Sequence, residues 1–265
     1  MNTIPVEFFQ SPVSHKPLTL KSENILVDED GNEFEKHHVF GFWNFIPSQC
    51  SPIYNETQWN SFKQLIDNFV ISYNKHPEVN VSYAERQDAF DFGDFCKYYG
   101  NVLDIGCGPH KIPSYIKFRK NPDATYYGID VLEGEHPKDL NFAKAMGEHL
   151  PFKDNTFDVT ISGTSLLHFV DIKQGILEGL RVVKPDGYFC IWLGVKSKDA
   201  PKPKESPEWY SKLKTPEGAE NPFHYKRWTS EEFENIFKEV GAKLIEKEVH
   251  KIDEWRENVF FKLQK

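Results

Sequence analysis

Residues 101–109 read Asn101-Val102-Leu103-Asp104-Ile105-Gly106-Cys107-Gly108-Pro109, and this stretch decides the fold. An apolar run of strand type ends on an acid and passes into a turn carrying two glycines. Glycines at 106 and 108 let a ligand approach the backbone where any Cβ would intrude. The amides exposed where the next helix begins suit a polar or anionic group.

Working outward, the chain beyond Gly100 alternates strand, turn and helix. Strands are expected at 102–105, 125–129, 142–146, 159–162 and 188–193, with helix between most of them, notably at 172–183. Short apolar strands alternating with helices indicate an α/β fold, a parallel sheet covered on both faces. A helix at 231–240, capped by Thr229 or Ser230, and strands at 242–250 and 258–263 close the chain, the two strands forming an antiparallel hairpin at one edge. Upstream, Trp59, Phe62, Leu65, Ile66, Phe69, Val70 and Tyr73 recur in steps of three and four, which predicts an amphipathic helix over 57–73. A second, less regular helix is expected at 84–98. Residues 1–55 read as a small β-hairpin module, with strands at 24–27 and 38–45 around the turn Asp28-Glu29-Asp30-Gly31-Asn32. Residues 56–265 then form the main domain. Within it, 196–228 holds Pro201, Pro203, Pro207, Pro216 and Pro222 and reads as a lid-like insertion over the cleft.

The glycine turn departs from a dinucleotide fingerprint, whose third glycine would fall at Lys111. Asp104 also stands inside the zone where a pyrophosphate would sit. A carboxylate there repels phosphate and welcomes the ammonium of an amino-acid-like ligand, which favours S-adenosylmethionine over NAD. Asp130 ends the next strand, Tyr126-Tyr127-Gly128-Ile129-Asp130, where an acid accepts hydrogen bonds from ribose hydroxyls.

Taken in order, D-I-G-C-G-P at 104–109, G-I-D at 128–130, G-E-H-L-P-F at 147–152, F-D-V-T-I-S at 157–162 and R-V-V-K-P-D-G-Y at 181–188 resemble the motif set of class I S-adenosylmethionine-dependent methyltransferases, of the type 11 kind. The resemblance covers about residues 95–195. It implies a Rossmann-like, seven-stranded, mostly parallel sheet in the order 3-2-1-4-5-7-6, with strand 7 antiparallel and helices on both faces. It further implies that Asp104, Gly106, Cys107 and Gly108 border the methionine part of the cofactor, that Asp130 binds ribose and that Val131 lies against adenine. Met146, Gly147 and Glu148 would flank the adenine edge, and the Ser162 carbonyl would meet the cofactor's amino group. Met146 stands where many relatives carry an acid, so that contact passes to a backbone group or Glu148; His110 stands where glycine is common.

The stretch Ser11-Pro12-Val13-Ser14-His15-Lys16-Pro17-Leu18 resembles the C-P-x-C-x-x-P-L opening of a zinc ribbon fused to some methyltransferases, including ribosomal RNA guanine enzymes. Serines replace both thiols, and a hydroxyl is a poor zinc ligand. The resemblance implies a degenerate module without metal, held by Phe34, Phe40, Phe42, Trp43 and Phe45. Cys50, Cys96, Cys107 and Cys190 form no C-x-x-C pair, and no metal site is expected.

The net charge of -8 argues against general nucleic-acid binding, which relies on phosphate neutralisation. No apolar run reaches the ~20 residues that span a bilayer, and the opening MNTIPVEFFQ lacks the order of a signal peptide. A cytoplasmic protein, monomer or homodimer, is expected. Methyl transfer from a sulfonium is an in-line displacement, so alignment supplies much of the rate. A base is needed only where the acceptor is protonated. His168, after the fourth strand, is the first candidate, with capping or packing of the next helix an equal alternative; His224 is the second, with a plain surface histidine as its alternative. Trp209, Tyr210 and Trp228 are possible walls of an acceptor pocket. The expected activity is methyl transfer to a small-molecule acceptor such as a metabolite, sugar or natural-product intermediate. An RNA methyltransferase and a non-catalytic cofactor-binding scaffold stand as alternatives.

Overall fold

The computed structural model describes residues 4–47, 54–77, 80, 85–197, 199–201 and 208–265. Cys50, residue 84, Pro203 and Pro207, all part of the expectations above, lie outside that set.

The strand that enters the glycine turn, β5 (Asn101–Ile105), runs parallel to β6 (Thr125–Asp130) on one side and β8 (Phe157–Gly163) on the other. Beyond β6 lies β7 (Asn141–Lys144), also parallel. Beyond β8 come β9 (Val183–Lys196), then β11 (Arg256–Gln264) antiparallel to it, then β10 (Lys243–Lys251) at the edge. This run is the expected 3-2-1-4-5-7-6 order with its antiparallel hairpin.

The expected total of seven strands is corrected: among the described residues the sheet has eleven. Four strands precede these: β1 (Thr19–Ser22), β2 (Ile25–Val27), β3 (Glu33–Lys36) and β4 (Trp43–Asn44). They form an antiparallel run that joins the same sheet through parallel pairing of Trp43 with Ala143 and Asn44 with Lys144. The physical reason is that β7 would otherwise leave an edge of unpaired amides and carbonyls, which chains tend to cover. The strand expected at 38–45 is mostly turn, because the His37 amide donates to the Phe42 carbonyl at 2.7 Å and the Gly41 amide returns to His37 at 2.8 Å. Only β4 survives of it, and the strand after the 28–32 turn is β3.

Both faces of the sheet are covered. On one, α4 (Ile172–Val182) and α6 (Ser230–Glu239) pack Ile176, Leu180, Phe233 and Phe237 against Leu103, Ile129 and Phe261. The N-terminal segment shares this core through Phe9, Phe34, Trp43 and Phe45. On the other face, α2 (Gln87–Cys96) and the single turn α3 (Ser114–Lys117) bring Phe92, Phe95, Tyr115 and Ile116 onto Val102, Val159 and Phe260. Phe42 reaches this side and meets Phe142 edge-on at 5.0 Å. Cys96, Cys107 and Cys190 are buried free thiols. Thr229, not Ser230, caps α6: its hydroxyl accepts the Glu232 amide at 3.2 Å, and Glu232 returns the bond.

The helix α1 (Glu56–Lys75) belongs to neither layer. Its start is fixed by a reciprocal cap, Asn55 accepting the Gln58 amide at 2.9 Å and the Gln58 side chain accepting the Asn55 amide at 2.9 Å. From there it crosses the C-terminal ends of the parallel strands. Asn68, 1% exposed, donates from Nδ2 to the carbonyls of Lys214 at 2.8 Å and Pro222 at 2.7 Å. Ser61 donates to the Glu217 carbonyl at 3.1 Å. These bonds join α1 to the 208–225 segment, which carries the short helix α5 (Glu208–Ser211).

A second clasp closes the N-terminal strands. Asp28, 5% exposed, accepts the Ser14 hydroxyl at 2.6 Å, the amides of Asp30 at 3.0 Å and Asn32 at 2.9 Å, and the Asn32 side chain at 2.9 Å. Burial alone would raise its pKa, yet the donors of Ser14, Ser11 and Asn32 hold the carboxyl well below the usual carboxylate range. A group depressed on folding contributes stability above its unfolded pKa of about 4 and loses it as pH falls further. Asp28→Ala is expected to lower unfolding free energy by about 1–3 kcal/mol at neutral pH, read by urea denaturation. The gap between variant and wild type should narrow as the pH is lowered beneath about 4.

Candidate active site

The strand ends β5, β6, β7 and β8 share one cavity of about 420 Å³, roofed by α1 and the 208–225 segment. Ligands of open α/β sheets bind in such a crevice, at the strands' carboxyl ends where neighbouring connections diverge.

One wall is built by the glycine turn. The amides of Gly106 and Cys107 both donate to the Ile129 carbonyl, at 2.8 and 3.0 Å, which ties the turn to the end of β6. Gly106 has φ +83°, and a Cβ there would stand 2.3 Å from the Ser165 side chain. No other residue type fits both demands. The amide of Gly108 donates to Asp130 Oδ2 at 2.8 Å, and that of Leu132 donates to Oδ1 at 2.8 Å, so the carboxylate is held at the cavity rim. Burial pushes Asp130 up to about 6, against the lowering effect of those amides.

Asp104 lies behind the turn and does not line the cavity. It is fully buried, with Oδ2 accepting the Tyr115 hydroxyl at 2.9 Å and Oδ1 without a partner. Burial pushes it up to about 8. Asp104 thus backs the turn, while the Asp130 carboxylate and the backbone at Gly106 face the cavity and fit a ligand that brings a cation or hydroxyl donors. The residues present therefore fit S-adenosylmethionine, the cofactor read from the sequence.

Of the other residues expected around the cofactor, Val131, Gly147 and Glu148 line the cavity. Glu148 is pinned through Oε1, which accepts the Tyr54 hydroxyl at 2.6 Å and the Val170 amide at 2.9 Å; burial pushes it up to about 7. Met146 is buried under α1 with Tyr54 and Phe62. Cys107 and Gly108, the latter with φ +86°, are both buried and do not line the cavity. Ser162 is buried too; its hydroxyl pairs with that of Ser165 at 2.7 Å, and Ser165 in turn bonds the Ile105 carbonyl. Between them Thr164 adopts φ +68°, a costly conformation for a β-branched residue, at the cavity wall.

The opposite wall brings together His168 and His224, which lie far apart in sequence. Their ring centroids are 4.7 Å apart. His168 Nδ1 meets the Phe223 carbonyl at 2.9 Å, an oxygen that can only accept, so Nδ1 carries the proton. His224 Nδ1 meets Asn221 Oδ1 at 3.0 Å. That oxygen also accepts the amides of Phe223 and His224, which fixes the Asn221 orientation and the His224 tautomer. Both rings therefore present an unprotonated Nε2, which no described residue bonds. Burial holds His168 down at about 4 and His224 down at about 3, with His168 and Arg227 adding to the latter.

Aromatic rings complete this half. Phe69 of α1 lies 4.7 Å from His168 and 5.0 Å from Phe223. Trp209 and Tyr210 line the cavity as expected. Trp228 does not; it packs on Phe233 and lies beneath Lys226. The reading from sequence missed Tyr54 and Asn68. Tyr54 carries no local signal, whereas Asn68 was visible as a lone amide on the apolar face of a helix.

Residues 103–191 match the family described as a methyltransferase domain. The fold and cavity define an α/β domain with a crevice at the strand ends, and the match over 103–191 supports an S-adenosylmethionine-dependent methyltransferase. Among similar proteins, the uncharacterized methyltransferase C1B3.06c of Schizosaccharomyces pombe is 29% identical over 36% of this chain and 40% of its own length. The uncharacterized methyltransferase YcgJ of Bacillus subtilis is 29% identical over 36% of this chain and 41% of its own. The chain thus spans less than half the length of either relative. A solved structure of similar fold is the 1,6-didemethyltoxoflavin-N1-methyltransferase of Burkholderia thailandensis, with bound 1,6-didemethyltoxoflavin and S-adenosylhomocysteine. Its TM-score is 0.56 at 12% identity, over 94% of this chain and 99% of that one. Among the described residues no group of side chains could hold a metal ion, and no helix is long and apolar enough to cross a membrane.

The low pKa values of the paired imidazoles yield a direct expectation. Ring nitrogen NMR shifts of His168 and His224 should stay those of neutral Nδ1–H tautomers from pH 8 down to pH 5, with protonation only on further acidification.

Proposed function

We propose that this protein transfers the methyl group of S-adenosylmethionine to a small-molecule acceptor. The observation that carries the reading is the division of one cavity between a glycine-and-carboxylate wall and a wall of neutral histidines and aromatic rings. In this reading Gly106, Cys107 and Gly108 cradle the methionine part with Asp104 behind them. Asp130 holds the ribose, and Val131 with Met146, Gly147 and Glu148 surrounds the adenine, with the Ser162 carbonyl directed to the amino group. Bound there, the cofactor supplies an electrophilic methyl group.

The chain's own part is then alignment, exclusion of water and handling of a proton. His168 and His224 are the candidate bases, each oriented by a bond from its Nδ1–H. The 196–228 insertion acts as a lid, its 208–225 part roofing the cavity together with α1, and residues 1–55 form an accessory β-module on the 56–265 catalytic unit. A small acceptor is favoured over RNA because no lysine or arginine is among the described residues that line the cavity. The Burkholderia thailandensis protein, which binds a small heterocycle beside S-adenosylhomocysteine, is consistent with this.

Incubation with methyl-labelled S-adenosylmethionine and cell extract tests the proposal. Label is expected in the low-molecular-mass fraction. His168→Asn is expected to lower that rate about 10²- to 10⁴-fold if the acceptor carries a proton. Label appearing only in RNA would contradict the proposal.

A further inference from the structure

The acceptor half of the cavity is specific enough to name a class of molecule, an inference that rests on the methyltransferase reading above. Three features bear on it. Flat hydrophobic surface comes from Phe69 and Phe223, whose centroids are 5.0 Å apart, with Tyr210 6.0 Å from Phe223. Hydrogen-bonding capacity comes from two imidazoles whose Nδ1 atoms are already committed to Phe223 and Asn221. What they offer a ligand is therefore acceptor lone pairs alone. Among the described residues no lysine or arginine lines the cavity, and Arg227, beside His224, is held by Glu220 at 2.7 Å.

A carboxylate or phosphate placed here would lose its hydration beside the lone pairs of both imidazoles and the carboxylates of Asp130 and Glu148, with no cation among the described lining residues to offset the cost. A purely apolar ring would leave both Nε2 atoms unsatisfied once water is displaced. We infer that the acceptor is a planar aromatic or heteroaromatic molecule that carries no negative charge and bears a hydroxyl or N–H group. Its ring lies among Phe69, Phe223 and Tyr210, and its O–H or N–H donates to Nε2 of His168 or His224.

The chemistry balances with a weak base. As the carbon–sulfur pair leaves with sulfur and the new bond forms from a lone pair of the acceptor heteroatom, that atom becomes cationic and its proton strongly acidic. The proton passes to Nε2, giving an imidazolium that later releases it to water. The acceptor need not be ionised beforehand, so a neutral imidazole that protonates only in acid suffices.

Calorimetry with S-adenosylhomocysteine saturating tests this with three probes: 2-naphthol, 2-naphthoate and 2-methoxynaphthalene. Naphthol is expected to bind, and naphthoate at least about tenfold more weakly, since burying an unpaired charge is costly. The double variant His168→Asn, His224→Asn retains an N–H in place of Nδ1 and removes Nε2. It should weaken naphthol about three- to tenfold while leaving 2-methoxynaphthalene unchanged, the value of one hydrogen bond. Phe69→Ala should weaken both uncharged probes. Naphthoate binding as tightly as naphthol, or a double variant that weakens naphthol and 2-methoxynaphthalene equally, would overturn the inference. If S-adenosylhomocysteine itself does not bind, the methyltransferase reading fails and this inference falls with it; if it binds and the probes are not distinguished, this inference alone fails.

Discussion

Two amides, those of Gly106 and Cys107, share the carbonyl of Ile129, and the amide of Gly108 holds the carboxylate one residue further on. These three bonds lock the end of β5 to the end of β6, and every other part of the candidate site is placed relative to that lock. Without it the turn could not keep φ +83° at Gly106, Ser165 would lose the space it packs into, and Asp130 would swing into solvent. The sheet serves mainly to bring those two strand ends side by side, with the turn that follows β8 adding Thr164 and Ser165 on the other flank.

The site is held at an energetic cost. Asp104 and Glu148 are buried, and Asp130 is half-buried at the rim with Lys144 offsetting only part of its desolvation; each is pushed upward in pKa, to about 8, 7 and 6. A carboxylate kept from water in this way destabilises the empty fold as pH rises through those values, since the native state then holds more protons than the unfolded one. Such strain is characteristic of sites prepared for a ligand that brings the missing donors or charge. The histidine wall follows the same logic with the opposite sign, because burial keeps both imidazoles neutral.

Much of this was legible in the chain. The glycine turn, the acid that ends β6 and the alternation of strand and helix each depend on local pattern, and the 3-2-1-4-5-7-6 order is present in the sheet. What sequence did not reveal depends on long-range packing. The four strands added on the β7 edge follow from a need to cover open backbone, which no window around Trp43 displays. The apolar face of α1 has the same spacing whether it packs on a core or roofs a cavity, and only the Asn68 bonds to Lys214 and Pro222 distinguish the two. His168 and His224 were each visible singly, but their meeting at 4.7 Å depends on how the 208–225 segment folds back over the strand ends.

The central claim is that Asp130, set by the glycine turn, organises a site for S-adenosylmethionine. The most direct measurement is calorimetric titration of S-adenosylhomocysteine into wild type, Asp130→Ala and His168→Asn, with folding of each checked by circular dichroism. Binding in the micromolar range is expected for wild type and for His168→Asn, weakened about tenfold or more in Asp130→Ala, as loss of a charged hydrogen-bond partner implies. Equal affinity in wild type and a folded Asp130→Ala, or no binding by the wild type, would contradict it.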